Sequence, residues 1–152
     1  MLICLVINGL RQTQSRAIFK KQVISLYGRE APAKYNTLGS KIGNIRHTQI
    51  RVGLANIKDH QFKIGKTSSP ICDCGDSRET SKHYVLICSS HREQRQTLFS
   101  SLTVILGAGF LTLNQNKKMD LLVYGTGLDK KFIHRVAFAF QKFLIATAHT
   151  ET

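Results

Sequence analysis

Apolar side chains recur at three-to-four-residue spacing along most of this chain, which is the pattern of helices that bury one face. Glycine interrupts the pattern between several stretches, as at Gly28, Gly53 and Gly107. The pattern predicts helices over residues 15–27, 38–52, 54–64, 80–87, 92–106, 117–124 and 129–147. We therefore expect a mainly α-helical protein.

The helix predicted over residues 38–52 has two faces of different character. Its apolar face is formed by Ile42, Ile45 and Val52. Its opposite face carries Asn44, His47, Thr48 and Arg51. We expect the apolar face to pack on the core and the polar face to meet solvent. The next helix is expected to expose Lys58 and Lys63.

The last predicted helix has the widest apolar face of the chain. This face is formed by Phe132, Val136, Phe140, Phe143 and Leu144. We expect it to belong to the core, with docking on a protein partner as the alternative.

The interruptions divide the chain into three segments. Residues 1–35 form an N-terminal segment with one amphipathic helix, and residues 36–106 combine basic helices with a cysteine–histidine motif. Residues 107–152 form a C-terminal helical segment that is expected to pack on the rest. No stretch approaches the ~18 consecutive apolar residues of a membrane helix, so no membrane partner is expected.

Charge sets this chain apart from an average globular protein. It has 22 Lys and Arg against 9 Asp and Glu, a formal net charge of +13. Most of the excess lies in residues 1–66, whereas residues 67–100 are balanced. A polyanion partner explains such an excess, and a generically solvated surface is the alternative. The candidate phosphate contacts are Arg51, Lys58, Lys63, Lys66, Arg92 and Arg95.

The sharpest local signal is a cluster of metal-ligand residue types. Cys72, Cys74, His83 and Cys88 follow the spacing C-x-C-x8-H-x4-C, and thiolates with imidazole are the ligands of structural zinc sites. Two alternatives remain open, a core histidine among buried cysteines and a Cys72–Cys88 disulfide. His91 is a spare ligand candidate.

Such a site has no open position, because four protein ligands complete a tetrahedral shell. Zn²⁺ is therefore expected to be structural, stapling a tight turn at Gly75 to a helix that begins at Thr80 or Ser81. Five residues of a regular helix turn by about 500°, so Cys88 lies above His83 only if the helix loosens or ends near Ile87.

The start of the chain bears on the redox compartment. The apolar run over residues 1–7 has no preceding basic residue and is cut short by Asn8-Gly9, so no secretory leader is expected. A nuclear or cytoplasmic location follows, where clustered thiols hold metal more often than they form disulfides.

An ordered series of motifs surrounds the cluster. It consists of Ile50-Arg-Val-Gly-Leu54, Ser69-Pro-Ile-Cys-Asp-Cys-Gly75, His83-Tyr-Val-Leu-Ile-Cys88, Arg92-x-x-Arg95 and Met119-Asp-Leu-Leu-Val-Tyr-Gly125. Over roughly residues 36–147 the series resembles the C-terminal Cys-Cys-His-Cys region of LINE-type (non-LTR) retrotransposon reverse transcriptases. That region is zinc-binding and contacts nucleic acid, beyond the polymerase domain.

The resemblance implies a zinc-dependent nucleic-acid-binding accessory module. It assigns the metal to Cys72, Cys74, His83 and Cys88, contact with DNA or RNA to the helices around Arg51, and the rest of a retroelement polyprotein as a further partner. The acids are scattered and no paired-carboxylate site is visible, so no catalytic residues and no enzymatic activity are expected. The alternatives are a zinc-stabilised protein–protein interaction module and a degenerate retroelement fragment without selected function.

Overall fold

A computed structural model of the chain describes residues 38–148. These residues lie within one compact unit, Lys34–Thr152. The helix expected over residues 15–27 lies outside the described residues, as does Cys4.

The described residues are mainly helical, as the apolar spacing predicts. The α-helices are α1 Lys41–Val52, α2 Lys58–Lys63, α3 Arg92–Leu106, α4 Gly109–Thr112, α5 Gln115–Tyr124 and α6 Lys130–Ala146. A π-helical turn, His83–Ile87, and a 3-10 turn, Ser89–His91, precede α3. Within residues 38–148 the β-structure is confined to one antiparallel bridge, Ile71 with Arg78.

Helix α6 is the centre of the core. It packs against α1 and α3, and α1 also contacts α5. Its predicted core positions Val136, Phe140, Phe143 and Leu144 are all buried, and Phe132 is partly buried against them. Burying each large apolar side chain contributes roughly 1.5–3 kcal/mol relative to exposure, so this face stabilises the whole unit. The expectation that it forms the core is confirmed.

Helix α1 faces the core with the opposite side from the one that Ile42 and Ile45 predict. Ile42 and Ile45 are 60% and 48% exposed, whereas His47 is fully buried and Arg51 is only 9% exposed. The prediction that His47 and Arg51 lie on a solvent face is therefore wrong. The buried stripe of α1 instead contains Gly43 together with His47 and Ile50.

Close approach and hydrogen bonding explain this orientation. A side chain at Gly43 would place its Cβ 2.5 Å from Oε1 of Gln141, so glycine allows α1 to lie against α6. The His47 ring places Nε2 2.9 Å from the carbonyl oxygen of Val123, and its Nδ1 lies 3.4 Å from Nε2 of Gln141. Burial lowers the pKa of His47 to about 4, so the ring is neutral in the folded protein.

Candidate metal centre

The first two ligands lie on a short hairpin. The bridge between Ile71 and Arg78 closes it, and Cys72 N–H donates to the Ser77 carbonyl at 2.9 Å. At the tip, Gly75 donates its N–H to the Cys72 carbonyl at 2.9 Å and has a φ of 83°, a conformation that favours glycine. The predicted tight turn is confirmed, and it places Cys72 and Cys74 on one short loop.

The other two ligands lie at the ends of the π-helical turn. The helix begins with a cap in which His83 N–H donates to Thr80 Oγ1 at 3.2 Å. Cys88 N–H then donates to the carbonyl of His83 at 2.8 Å, an i→i+5 bond that widens the turn by one residue. The helical turn ends at Ile87, as expected, and the widening brings His83 and Cys88 to the same side.

The structure brings the four predicted ligands together. Their donor atoms all lie within 4.8 Å of one another, with Cys72 Sγ 3.6 Å from Cys88 Sγ and Cys74 Sγ 3.2 Å from His83 Nε2. A tetrahedral Zn²⁺ with bonds of about 2.3 Å to sulfur and 2.0 Å to nitrogen spaces such pairs by about 3.8 and 3.5 Å. The donor set and its spacing therefore fit a tetrahedral metal ion.

The disulfide alternative is not the state of the structure. Cys72, Cys74 and Cys88 are free thiols, and the 3.6 Å between Cys72 and Cys88 far exceeds the ~2.05 Å of a disulfide bond. The spare candidate His91 lies outside the cluster, with its ring 4.7 Å from that of Tyr84.

The site is enclosed and its histidine is oriented. Cys72, His83 and Cys88 are buried, and Cys74 is half-buried. Ser77 Oγ lies 2.9 Å from His83 Nδ1, which leaves Nε2 turned toward the thiols. A hydrogen bond to the second ring nitrogen is the usual way in which a protein fixes a ligating histidine.

Burial alone does not favour the thiolates that a metal requires. It raises the pKa of Cys72 far above the ordinary value, an effect that a hydrogen bond from the Cys74 backbone N–H opposes. The fully buried Glu79 places Oε1 3.6 Å from Cys72 Sγ. A bound cation would offset these costs, since it interacts favourably with each thiolate and with the carboxylate.

Glu79 also connects the cluster to helix α2. Its Oε2 accepts a hydrogen bond of 2.6 Å from the backbone N–H of Lys58, the first residue of that helix. On the hairpin, Asp73 forms an ion pair with the Lys58 ammonium, and Arg78 donates to Asp59 Oδ1 from Nε at 2.9 Å and Nη2 at 2.6 Å. The hairpin thus holds the start of α2 at several points.

The structure does not bring the six predicted phosphate contacts to one surface. Arg51 is buried, with its guanidinium 5.6 Å from the ring centroid of Tyr124. Lys58 is half-buried in its ion pair with Asp73, which is the main reason that the pKa of Lys58 is raised. The first two of the six therefore serve intramolecular contacts.

The other four cations differ in exposure. Lys63 is exposed but lies 2.5 Å from Asp59 Oδ2, and Arg95 is half-buried and donates to the Ile87 carbonyl at 3.4 Å. Lys66 and Arg92 are exposed. Only these last two combine exposure with no ion pair among the described residues.

Sequence reasoning missed a set of exposed residues on α6. They are Lys131, Arg135, Phe138 and Lys142, which we call the α6 stripe. Their spacing of four, three and four residues places them on one helical face, opposite the core face. This spacing is visible in the sequence, but the wide apolar face of the same helix and the charge excess of residues 1–66 are the stronger features of the pattern.

No family model, curated protein or solved structure matches the chain. In the part of the chain that the structure describes, no helix is both long and apolar enough to cross a bilayer. The fold and the site therefore define a mainly helical protein with a Cys3His cluster whose geometry suits a metal ion.

Proposed function

We propose that this protein is a non-catalytic, zinc-dependent nucleic-acid-binding module. Three thiols and one imidazole favour Zn²⁺ over metals that prefer oxygen ligands. When bound, the ion would cross-link the hairpin to the π-helical turn. Cys72, Cys74, His83 and Cys88 complete its shell, so no position remains for an activated water.

The net charge of +13 carries the nucleic-acid part of the proposal. The metal segment contributes little to it, because residues 67–100 are balanced and Asp73 and Glu79 lie beside the cluster. Within residues 38–148 the basic residues of the helices carry most of the excess, so we expect phosphate contacts from helices to dominate and the metal centre to stabilise the fold that presents them. The resemblance to LINE-type reverse transcriptases supports DNA or RNA as the partner, with the rest of such a polyprotein as a second one, in the nucleus or cytoplasm.

Native mass spectrometry tests the metal centre. We expect one Zn²⁺ per chain in protein prepared under reducing conditions, lost in Cys88→Ser and retained in Cys4→Ser. Zinc retained at full stoichiometry in a Cys72→Ser/Cys74→Ser variant would contradict the ligand assignment.

Fluorescence anisotropy over a salt series tests nucleic-acid binding. We expect a Kd at physiological salt within or below the ~1–100 µM range of non-specific binding. The logarithm of the association constant K should fall linearly with log[salt]. Affinity should be similar for unrelated sequences, since phosphates carry no sequence information. No measurable binding at low salt would refute the proposal.

A protein-docking module is the second candidate, and one observation favours it. The exposed Ile42 and Ile45 form an apolar patch on α1 that a protein partner would cover. The two candidates are separated by the same salt series, because docking through this patch gives no reason for tight phosphate binding. Replacing both isoleucines by Ser should leave oligonucleotide affinity unchanged under the first proposal.

A further inference from the structure

The α6 stripe combines exposure with an aromatic ring placed among cations. Lys131, Arg135 and Lys142 are exposed, and Phe138 lies between the last two with 45% of its surface accessible. Lys142 Nζ lies over one face of the Phe138 ring, 4.6 Å from its centroid, which is a cation–π distance. The stripe extends about 16 Å along the helix axis, from Lys131 to Lys142.

The charge of the stripe is not neutralised by the described part of the chain. Helix α6 contains no Asp or Glu. Within residues 38–148, Arg135 and Lys142 form no ion pair, and Lys131 is 4.0 Å from Asp129 with both side chains at least 70% exposed. An ion pair so exposed is worth little, so all three cations remain available to a polyanion.

The stripe differs in this respect from the cations around the metal hairpin. Lys58 and Lys63 are engaged with Asp73 and Asp59, and Arg95 is half-buried against the Ile87 carbonyl. Contact with phosphate there would compete with existing interactions. On α6 the existing contacts are one exposed ion pair and two cation–π contacts of exposed lysines, Lys131 with Phe132 and Lys142 with Phe138, which cost little to rearrange.

We propose that the α6 stripe binds single-stranded nucleic acid, with Lys131, Arg135 and Lys142 contacting phosphates and Phe138 stacking on an unpaired base. The inference rests on the proposed nucleic-acid-binding function and names its surface and partner. A strand carries about one phosphate per 3.4 Å, so a 16 Å stripe spans several phosphates. In a duplex the bases are already stacked and paired, which leaves an exposed phenyl ring without a partner; an unpaired base offers its face to it.

Two charge-matched triple variants test the phosphate contacts. The first is Lys131→Gln/Arg135→Gln/Lys142→Gln, and the control is Lys41→Gln/Lys82→Gln/Lys117→Gln, which removes three exposed cations outside the stripe and outside the six candidate phosphate contacts. On a single-stranded oligonucleotide the first should flatten the log K versus log[salt] slope by about 0.7 per lost contact, roughly 2 in total. The control should change the slope by less than the roughly 0.7 expected for the loss of one contact. Circular dichroism and metal stoichiometry should match wild type in both.

Phe138→Leu tests the stacking step without changing charge. We expect affinity for single strands to fall by about 5-fold or more, while the weaker affinity for duplex of the same sequence is unchanged. An equal loss on both substrates, or a duplex preference in wild type, would overturn the assignment to single strands. Vesicles rich in phosphatidylserine serve as the other polyanion; binding to them with no retention of oligonucleotide would overturn nucleic acid as the partner.

The outcomes separate this inference from the proposed function. If wild type binds no oligonucleotide, the proposed function itself fails. If wild type binds with a normal salt slope but the two triple variants lose affinity equally, the function stands and the α6 stripe is not its surface.

Discussion

Protonation of the buried His47 should make the fold sensitive to mild acid. The ring is fully buried between α1 and α6, and burial lowers its pKa to about 4 from the ordinary value of about 6.5. Above pH 6.5 the ring is neutral in both the folded and the unfolded chain. Between pH 6.5 and 4 the unfolded chain binds the proton first, so the free energy of unfolding falls as the pH falls.

The size of the effect follows from the shift. This lowering of the pKa corresponds to roughly 3 kcal/mol of stability, fully lost once the pH is below 4. This is a large part of the 5–15 kcal/mol that typically stabilises a domain.

Urea unfolding of wild type and His47→Gln at several pH values measures this contribution. The metal ligands take up protons in both proteins, so the difference between the two free energies isolates His47. Wild type should exceed the variant at pH 7 by a margin that shrinks by about 3 kcal/mol at pH 4. The control Leu102→Ala removes packing from the fully buried core position of α3 without a titratable group, and its deficit should not vary with pH. A pH-independent difference between wild type and His47→Gln would refute the reasoning.

Three further expectations follow from the packing and from the metal cluster. Gly43→Ala should destabilise the protein by about 1 kcal/mol in urea unfolding, because the contact of the new Cβ with Gln141 Oε1 at 2.5 Å and Gln141 Cβ at 3.1 Å outweighs the roughly 1 kcal/mol that alanine gains in a helix; a stabilised variant would contradict close packing of α1 on α6. Chelation should increase amide hydrogen exchange over residues 70–88 but not at Val136 and Phe140, which lie on a helix with its own core. Exchange over residues 70–88 that is unchanged by chelation would contradict the metal as a cross-link between the hairpin and the π-helical turn. Metal-loaded protein should not cleave or extend nucleic acid; turnover that a point mutation abolishes would show an active site.

The ligand set was readable from the sequence, but its geometry was only partly so. Cysteine and histidine spacing identifies Cys72, Cys74, His83 and Cys88 because metal ligands are chemically distinctive and lie close together in the chain. The spacing of His83 and Cys88 also required a loosened helix. It did not predict how the helix loosens, since an i→i+5 bond depends on local backbone energies that no residue pattern specifies.

The orientation of α1 shows where hydrophobic periodicity fails. Two isoleucines suggested one face, yet Gly43 and His47 lie on the buried face. A helix–helix contact of this kind depends on close backbone approach and on a hydrogen bond to Val123, a residue 76 positions away. Neither contributes to an apolar pattern, so the pattern predicts a solvent surface for His47 and Arg51, which are both buried.

The sequence separation of contacts suggests an order of folding. All four candidate ligands lie within residues 72–88, so a metal ion that binds them closes only short loops. The contact between His47 and Gln141, by contrast, spans 94 positions. Metal capture can therefore precede the docking of α1 on α6, and a chain emerging from the ribosome would complete its ligand set before α6 has been synthesised. If the metal is scarce during translation, the hairpin then remains without its ion while α6, against which α1 and α3 pack, has not yet been synthesised.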